Sequence, residues 1–591
     1  MPRTDRDINR REILQGMGAA GVVGLAGCIG DDDDEIEDDD TDDDTDPGTD
    51  DDTDPGTDDD TDEEETDLDE IHDGGELVIG LAENIADFDP VSMNDTTSGM
   101  TVRTLLYEGL TAIDFEGDPH PGLAEDWEQI DDTTFEFYLR EGVQFHNGEE
   151  LHAEQVKRSF ERYEGELREP DVYEWYEDSE VVDDHTLEVH LSQPDATMIT
   201  GLAGVPILPD ELLDGDTDPD EHPIGTGAYQ FEEFEDGDVF RASRFEDHWF
   251  EGSDSVPETP PIEEITCQII REDASRSSAL QTGDVHHSFG LASDTLDDFD
   301  ASDEFDLTST PAGGYEFMSY PVQFEPWDNA NIRAGVDRLI PRPIIIEEVY
   351  HGWAERSDLP FAEISGMDEF IPDDFREEMF EEYGGYDIDE AVELIEEGFD
   401  EEGIDAPLDV NLVVNADNDD RVQWTELVAE SMEQSGMFDV ELETFEWTEY
   451  VARVTGPGSE ENNEIVTIGL SAGFDPDSFI RATMYTGRQT PGCCNIHHYS
   501  NDELDDLIET GRHDPDVAFD TDARAEVYQE ATELIMQEAP VSFTQFGTEI
   551  DIVRAGEVHG WETHPINSYK IIKGIYAPES DQVAWLDPDA A

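Results

Sequence analysis

The stretch TTFEFYLREGVQFHNG, residues 133–148, alternates apolar and polar side chains and then reaches two glycines. Alternation with a period of two is typical of a strand with one buried face, and glycine favours the turns that follow it. The pattern therefore predicts a strand at Thr133–Arg140. A similar alternation predicts a strand at Thr186–Leu191, and the apolar run Glu76–Leu81 predicts another.

Helical patterns lie between and beyond these strands. The clearest of them are Ala153–Tyr163, Asp389–Gly398, Trp424–Ser435 and Ala523–Glu538. Strands and helices that interleave along a chain indicate an α/β fold, and 591 residues are enough for two or three packed units.

The charge is extreme. The chain has 157 acidic and 28 basic residues, a net charge of −129, and its lysines are Lys157, Lys570 and Lys573. A surface with so many carboxylates repels itself unless concentrated salt shortens the Debye length, which predicts a protein of a salt-loving organism. A partner-binding acidic protein is the alternative. Nucleic acid is excluded as a partner because no basic patch is available to neutralise phosphates.

The first 28 residues have the composition of an export signal. Arg10 and Arg11 precede a short, glycine-rich apolar run at residues 16–25, which ends in Leu-Ala-Gly-Cys at Cys28. Paired arginines before a weak apolar segment are typical of twin-arginine export, and the run is too short to span a bilayer. Leu-Ala-Gly-Cys resembles a lipobox, which predicts a lipid on Cys28 and a position on the extracytoplasmic face of the cell membrane.

Residues 29–74 are predicted to be a disordered acidic tether. The unit TDPGTDDD occurs at Thr45–Asp52 and again at Thr53–Asp60, and nothing in it can fill a core. Asn94 begins an Asn-Asp-Thr glycosylation sequon.

Several motifs in the remaining sequence resemble, in order, those of the family 5 solute-binding proteins of ABC importers. They are the stretch at 135–148 together with Leu106–Leu110, Pro121–Trp127, His222–Tyr229, Ala279–Val285, Ile332–Arg338, Asp475–Phe479 and Gln537–Pro540. The ordered set covers residues 75–580 and is more specific than any one motif. Together with the signal and the charge, it identifies the chain as resembling a haloarchaeal family 5 lipoprotein.

The resemblance implies a fold and a function. The fold is α/β, a two-lobed type II periplasmic-binding-protein architecture with an inserted domain. Lobe I would comprise residues 75–110, 225–318 and 540–580, the insert 111–224, and lobe II 319–539. Such a protein is not an enzyme and needs no cofactor. It is expected to act as a monomer that captures a small, peptide-like or other solute between its lobes and delivers it to membrane permease subunits.

Seven residues are predicted to contact the ligand. Four are Glu83 and Asn84, in the loop after the first strand, and the aromatic residues Tyr107 and Tyr315. The other three form the segment Gly473-Phe474-Asp475. Each of the seven has packing as its alternative role.

The resemblance also bears on the class of ligand. Dipeptide binders of the family hold the ligand's amino group with an Asp and its carboxylate with an Arg, and those positions are occupied here by Ala472 and Asn415. Because a buried ammonium without a carboxylate partner is costly, short free peptides are not the expected ligand. A larger peptide, an oligosaccharide or a metal chelate is expected instead.

Two further motifs suggest other chemistry. Gly469-Leu-Ser-Ala-Gly473 matches a nucleophile elbow, which would make Ser471 the nucleophile of a secreted hydrolase, but Asp475-Pro476 leaves no room for the helix that must follow it directly. Cys493, Cys494, His497 and His498 are weak metal-ligand candidates, because adjacent residues rarely bind one ion together. A disulfide or two free thiols is the alternative.

The lipid anchor is testable by changing Cys28. We expect Cys28→Ser to release the exported protein into the medium, and Arg10→Lys with Arg11→Lys to hold it in the cytoplasm. Fractionation of cells in high salt, with immunoblotting of membranes and medium, measures both. A Cys28→Ser protein that stays in the membrane fraction would contradict the anchor.

Overall fold

Residues Thr134–Leu139 form the strand that their alternation predicts, with Phe135, Phe137 and Leu139 buried. The computed structural model describes Leu68 and residues 71–93, 95–364, 366–490 and 494–588. The predicted signal with Arg10, Arg11 and Cys28, nearly all of the tether, Asn94 and Cys493 lie outside the described residues. No helix within the described ranges is long and apolar enough to cross a bilayer.

The strands are β1 (Glu76–Leu81), β2 (Thr111–Ile113), β3 (Pro119–Pro121), β4 (Ala124–Asp131), β5 (Thr134–Leu139), β6 (Tyr176–Asp183), β7 (Thr186–Leu191), β8 (Tyr229–Glu235), β9 (Val239–Arg244), β10 (Glu264–Ile269), β11 (His287–Phe289), β12 (Phe305–Pro311), β13 (Gly314–Ser319), β14 (Glu355–Arg356), β15 (Leu408–Asn415), β16 (Phe438–Phe445), β17 (Ile465–Ser471), β18 (Val541–Phe546), β19 (Thr548–Arg554), β20 (Val558–His559), β21 (Tyr576–Ala577), β22 (Gln582–Val583) and β23 (Trp585–Leu586).

The α-helices are Thr96–Ser98, Thr104–Leu106, Ala153–Glu161, Pro170–Tyr173, Met198–Gly201, Asp210–Leu213, Asp273–Thr282, Ser293–Asp300, Ala330–Asp337, Arg342–Ile344, Asp373–Tyr383, Ile388–Glu402, Asp419–Gln434, Trp447–Thr455, Pro476–Met484, Asp502–His513, Thr521–Glu538 and Lys570–Ile575. Gly99–Arg103 and Ile345–Val349 are π-helical. Short 3₁₀ turns lie at Leu202–Gly204, Met367–Glu369, Ser459–Glu461, Thr486–Arg488, Asn567–Tyr569 and Pro578–Ser580. The four predicted helices and the predicted strands are confirmed.

Two large sheets form the two lobes. The first lobe is built on seven strands in the order β12-β19-β11-β1-β10-β9-β8, and the second on six in the order β14-β18-β13-β17-β15-β16. At the centre of the first sheet, β1 is parallel to both β10 and β11, and Leu77, Ile79 and Leu81 are buried. Helix-covered parallel strands need apolar side chains on both faces, which explains the unbroken apolar run of β1.

A third sheet, with the order β4-β5-β7-β6, is antiparallel and lies in the segment between β3 and β8. One of its faces buries Phe137, Leu187 and Val189, while the other faces solvent. A sheet covered on one face alone requires the period-two alternation that marks β5 and β7. It is called the inserted domain below.

Two adjacent connections join the lobes. The chain leaves the first sheet after β12 and enters the second at β13, and it returns between β18 and β19. The Ala312 amide donates to the Gly547 carbonyl (2.9 Å), and the Gly313 amide donates to the Pro565 carbonyl (3.1 Å). The Ala472 amide donates in turn to the Gly313 carbonyl (2.8 Å). Backbone bonds therefore hold both connections to each other and to neighbouring segments of both lobes.

The chain passes from the first sheet to the second at Gly313 and returns at Gly547, whereas the predicted lobe boundaries are 318/319 and 539/540. Strand β13 pairs with β17 and β18, so both β13 and β18 lie in the second sheet although the predicted boundaries assign most of their residues to lobe I. The fold is the mixed α/β, two-lobed architecture that the sequence predicts.

The crowding at Gly313 yields a matched pair of variants. A Cβ on Gly313 would lie 2.6 Å from Ile566 Cδ1 and 2.9 Å from the Ala472 oxygen, whereas a Cβ on Gly547 would have Ala312 Cβ at 3.6 Å as its nearest neighbour. We expect Gly313→Ala to lower the free energy of unfolding by about 1–3 kcal/mol, because overpacking costs that much. Gly547→Ala should change it by less than about 0.5 kcal/mol. Denaturant unfolding in high salt measures both free energies. Equal losses of stability in the two variants would contradict the tight packing at Gly313.

Candidate functional site

A cavity of about 590 Å³ lies between the second lobe and the inserted domain with the C-terminal segment. It is called the cleft below. The second lobe contributes Gly473, Phe474, Asp475, Asp477, Ser478, Arg481, Ala482, Arg488 and Arg512, and the facing side contributes Ile113, Gly117, Arg168, Pro170, Asp171, Glu174, Trp175, Thr197, Thr200, Gly201, Gly204, Ile566 and Tyr569. Its volume is within the range of about 300–1,000 Å³ that is typical of small-molecule sites.

The second-lobe wall is built around the start of helix Pro476–Met484. Asp475 is its N-cap and accepts from the Asp477 amide (2.9 Å), and proline follows at the first helical position. Proline is favoured there because that amide has no intrahelical partner. Ser478 Oγ accepts from the Gly473 amide (2.9 Å). These bonds fix the loop that carries Phe474 into the cleft.

Each carboxylate of this wall has an arginine partner. Both oxygens of Asp475 accept from Arg524 Nη2 at 2.8 Å. Asp477 is buried, and its Oδ2 lies 2.7 Å from Arg481 Nε and 3.4 Å from Arg512 Nη1. Burial raises the pKa of Asp477, and the guanidinium groups of Arg481 and Arg512 oppose that shift.

Ion pairs connect the second lobe to the inserted domain across the cleft. Glu174 binds Arg488 through one oxygen and Arg512 Nη1 through the other, the latter at 3.1 Å. Arg512 Nε also lies 2.9 Å from Asp195 Oδ2, and the Ala196 amide donates to the Arg512 carbonyl (3.0 Å). These contacts hold the two walls of the cleft together in this structure.

Aromatic side chains also lie where the two walls of the cleft meet. The ring of Phe474 occupies the space that a side chain on Gly117 would need, with its Cγ 2.1 Å from an ideal Cβ there. It also packs edge-on against His564, with ring centroids 5.8 Å apart. Trp175 and Tyr569 line the cleft beside it. Aromatic faces of this kind can stack on a ligand.

On another side of the second sheet, a charged cluster surrounds Asn415 at the end of β15. Asn415 Oδ1 accepts from Arg421 Nη1 (2.8 Å), and Arg421 forms a forked ion pair with Glu316. The neighbouring Asp420 accepts from Ser293 of the first lobe (2.9 Å). The amide of Asn415 is therefore already engaged by a nearby arginine.

The seven predicted ligand residues lie in different places. Gly473, Phe474 and Asp475 line the cleft. Asn84, next to Glu83, bonds Asp236 and the Gly237 amide, and neither lines a described cavity. Tyr315 is buried and donates to the Phe479 carbonyl, and Tyr107 lines a second, larger cavity. Ligand contact by any of the seven stays a prediction.

Cys494 of the cysteine–histidine segment is disulfide-bonded, and its partner lies outside the described residues. A disulfide between Cys494 and its neighbour Cys493 stays a prediction. His497 is fully buried, and burial lowers its pKa to about 3. Among the described residues, no group of three or more His, Cys, Asp or Glu side chains could hold a metal ion.

Ser471 is the last residue of β17, and the next helix begins at Pro476. A nucleophile elbow needs a helix directly after the nucleophile, so the local structure does not match that motif.

Comparison with known proteins agrees with this architecture. Residues 118–491 match the family described as bacterial extracellular solute-binding proteins, family 5, in its middle region. The chain belongs to this family. It is accordingly the substrate-binding component of an ABC importer, and proteins of family 5 bind small solutes and work with ABC permeases. Its relatives are extracytoplasmic binding proteins and not enzymes.

Individual relatives match this chain over most of their length. The glutathione-binding protein GsiB of Escherichia coli O1:K1 is 24% identical over 474 residues, which cover 79% of this chain and 88% of GsiB. DppA of Helicobacter pylori, solved with the peptide STSA, is 21% identical with a TM-score of 0.69 and covers 84% of this chain and 98% of its own. NikZ of Campylobacter jejuni, solved with Ni(L-His), is 17% identical with a TM-score of 0.69 and the same coverage.

The sequence analysis missed most of the cleft. Glu174, Arg488 and Arg512 belong to no quoted motif, and they lie far apart in sequence. Basic residues are scarce in this chain, so four arginines lining one cavity form a signal that is visible only after folding.

His564, which packs against Phe474, makes the stability of the folded protein depend on pH. Its Nδ1 accepts from the Ile566 amide (3.0 Å), and its Nε2 lies 3.2 Å from the Asp114 carbonyl, which fits a neutral ring with the proton on Nε2. Burial lowers its pKa to about 4, with Lys573 adding to the shift. The unfolded chain therefore binds a proton that the folded chain does not, and stability falls as the pH drops from about 6.5 towards 4.

We expect His564→Gln to flatten this loss of stability. The difference between pH 6.5 and 4 should shrink by up to about 3 kcal/mol, since one pKa unit corresponds to about 1.4 kcal/mol. Unfolding free energies measured across that range in high salt test it, with the exposed His222→Gln as the control. A variant with the same pH slope as the unaltered protein would refute the assignment.

Proposed function

We propose that this protein captures a polar, peptide-like solute in the cleft and delivers it to an ABC permease at the outer face of the membrane. The observation that carries the proposal is that the second lobe faces the inserted domain and the C-terminal segment across the cleft, and that Glu174 of the inserted domain binds Arg488 and Arg512 of the second lobe. A solute between these walls would be enclosed when they meet, as in other hinged binding proteins.

The charges of the cleft argue against a ligand held by its free ends. Asp475 and Asp477 are bound by Arg524, Arg481 and Arg512, and Asp171 is bound by Arg168. A ligand ammonium entering here would find every lining carboxylate already paired. Burying that ammonium without a partner would cost several kcal/mol.

The two positions where dipeptide binders carry their charged anchors support the same view. Ala472 has no charge, and Asn415 is bonded to Arg421, which Glu316 already neutralises. We therefore propose a ligand that is held by stacking and by neutral hydrogen bonds, such as a longer peptide. Phe474 and Tyr569 offer the aromatic faces. The hydroxyl groups of Thr197, Thr200 and Ser478 already donate within the protein, so they offer their oxygens as acceptors.

The relatives define the ligands worth testing. One of them binds glutathione, one was solved with a tetrapeptide and one with a nickel–histidine complex. An oligosaccharide and a metal chelate remain the alternative ligand classes. A serine hydrolase acting through Ser471 is a further alternative, which the relatives and the missing elbow helix disfavour.

We further propose that the protein is a monomer anchored by lipid on Cys28 and adapted to concentrated salt. The buried side chains of Lys570 and Lys573 support the adaptation, because two of the three lysines are retained for internal ion pairs and not for the surface.

The ligand class is testable by calorimetry in multimolar salt. Tetra- to nonapeptides should bind at least tenfold more tightly than dialanine, because they do not depend on ionic anchors at both ends. Phe474→Ala should weaken that binding at least tenfold, whereas Phe519→Ala, at a half-exposed phenylalanine that does not line the cleft, should leave it within twofold. Micromolar binding of dialanine would contradict the proposal, and preferential binding of nickel–histidine or an oligosaccharide would establish an alternative ligand.

A further inference from the structure

A second cavity of about 1,250 Å³ lies between the first lobe, the inserted domain and the C-terminal helix Lys570–Ile575. It is called the back cavity below. Its interior is lined by Arg103, Tyr107, Glu108, Arg140 and Lys573. It meets the cleft at a thin wall, because Ile113 and Tyr569 line both spaces.

Arg103 is a buried arginine that has no carboxylate partner in the part of the chain that the structure describes. It is 9% exposed, its Nη1 donates to the Gly204 carbonyl (3.2 Å), and its guanidinium carbon lies 5.6 Å from the ring centre of Tyr569. Its Nε is buried and has no hydrogen-bond partner among the described residues. A buried guanidinium normally has its donors satisfied. Because Arg103 also lines the back cavity, a ligand there can approach its guanidinium group.

Arg140 is a second arginine of the back cavity and is partly buried. Its Nε donates to the Gly122 carbonyl (2.7 Å), and its guanidinium carbon lies 4.3 Å over the Trp249 ring. Within the described ranges it has no ion-pair partner, whereas most arginines of the chain have one. In a protein with 157 acidic residues, an arginine is expected to pair with a carboxylate. Two guanidinium groups in one cavity without an ion pair to a described residue are therefore unusual.

The other charged groups of the interior already have partners. Glu108 accepts from His248 Nε2 (3.1 Å) and from Trp249 Nε1 (2.9 Å). Lys573 contacts the carboxylate of Glu579. Arg103 and Arg140 are therefore the arginines of the interior that form no ion pair with a described residue, although the carboxylates of Glu125, Glu108 and Glu251 act on Arg140 from a greater distance.

The rim of the back cavity has the opposite charge. Five exposed acidic residues surround the entrance, namely Glu125, Glu141, Asp247, Glu251 and Glu258. A polyanion would be repelled at this rim, and a simple cation would be repelled by the interior. A molecule with a carboxylate at one end and an ammonium at the other satisfies both regions.

We propose that the back cavity is a second binding site for small zwitterions of the amino-acid class. The ligand carboxylate binds the guanidinium groups of Arg103 and Arg140, since guanidinium donors fit a carboxylate in a forked geometry. The ligand ammonium lies towards the acidic rim, and its apolar part packs on Trp249 and Tyr576. The site is separate from the cleft and does not depend on which solute the cleft holds.

Binding is measurable with three matched probes in multimolar salt. L-Leucine has both charges, leucinamide lacks the carboxylate, and N-acetyl-leucine lacks the ammonium. Calorimetry or saturation-transfer NMR on the full chain should show saturable binding of leucine, and at least tenfold weaker binding of each of the other two.

Variants locate the site. Arg103→Gln and Arg140→Gln should each weaken leucine binding at least tenfold, and Arg103→Lys should recover part of it by restoring the charge without the fork. Arg271→Gln is the matched control, because Arg271 is exposed, has no ion pair among the described residues and lies outside both cavities. It should stay within twofold.

Three results would overturn the proposal. These are an absence of saturable leucine binding, leucine binding that Arg103→Gln and Arg140→Gln leave unchanged, and leucine binding abolished only by Arg488→Gln, which would place it in the cleft. Cleft ligands that still bind the Arg140→Gln protein would show that the failure concerns the back cavity alone.

Discussion

The structure depends on the two backbone connections that pass side by side between the lobes. Gly313 is held by hydrogen bonds to Pro565 on one side and to Ala472 on the other, and Ala312 is held to Gly547. Because Ala472 directly precedes the loop that carries Phe474, the connection and the cleft wall are mechanically one unit. The connection is thus hydrogen-bonded to residues close in sequence to both Phe474 and His564, which pack against each other.

Electrostatics gives the cleft its character within a very acidic protein. Most carboxylates of the described residues are at least partly exposed to solvent, where concentrated salt relieves their repulsion. The few arginines are placed where carboxylates are buried or where two walls meet, as around Asp477 and Glu174. The cleft is therefore close to neutral, which suits a solute held by stacking and neutral hydrogen bonds better than one held by ion pairs.

The parts of the fold that are periodic in sequence could be predicted. The alternation in β5 and β7 and the apolar run of β1 gave their bounds within two residues, because burial on one face or two leaves a local pattern. The lobe boundaries were displaced because β13 and β18 follow the connections directly, and no local pattern states which sheet a strand joins. Of the seven predicted ligand residues, only those at 473–475 line the cleft.

The rest of the site could not be predicted because it is assembled from distant segments. Glu174 and Arg512 are separated by more than half the chain and meet only when the inserted domain faces the second lobe. Tyr315 and Tyr107 were chosen as aromatic residues near motifs, yet both are buried and have their hydroxyl groups bonded to backbone carbonyls. An aromatic side chain near a motif does not reveal which way it points.

The claim that a solute is enclosed between the lobes is tested most directly by a crystal structure of the protein purified in high salt with its native ligand retained. Mass spectrometry of the same preparation would identify that ligand. The account predicts electron density for it between the loop at 473–478 and the segment Ile566–Tyr569, in contact with Phe474 and without an ion pair at both ends. Density for the ligand only outside the cleft, or lobes that are equally open with and without it, would contradict the account.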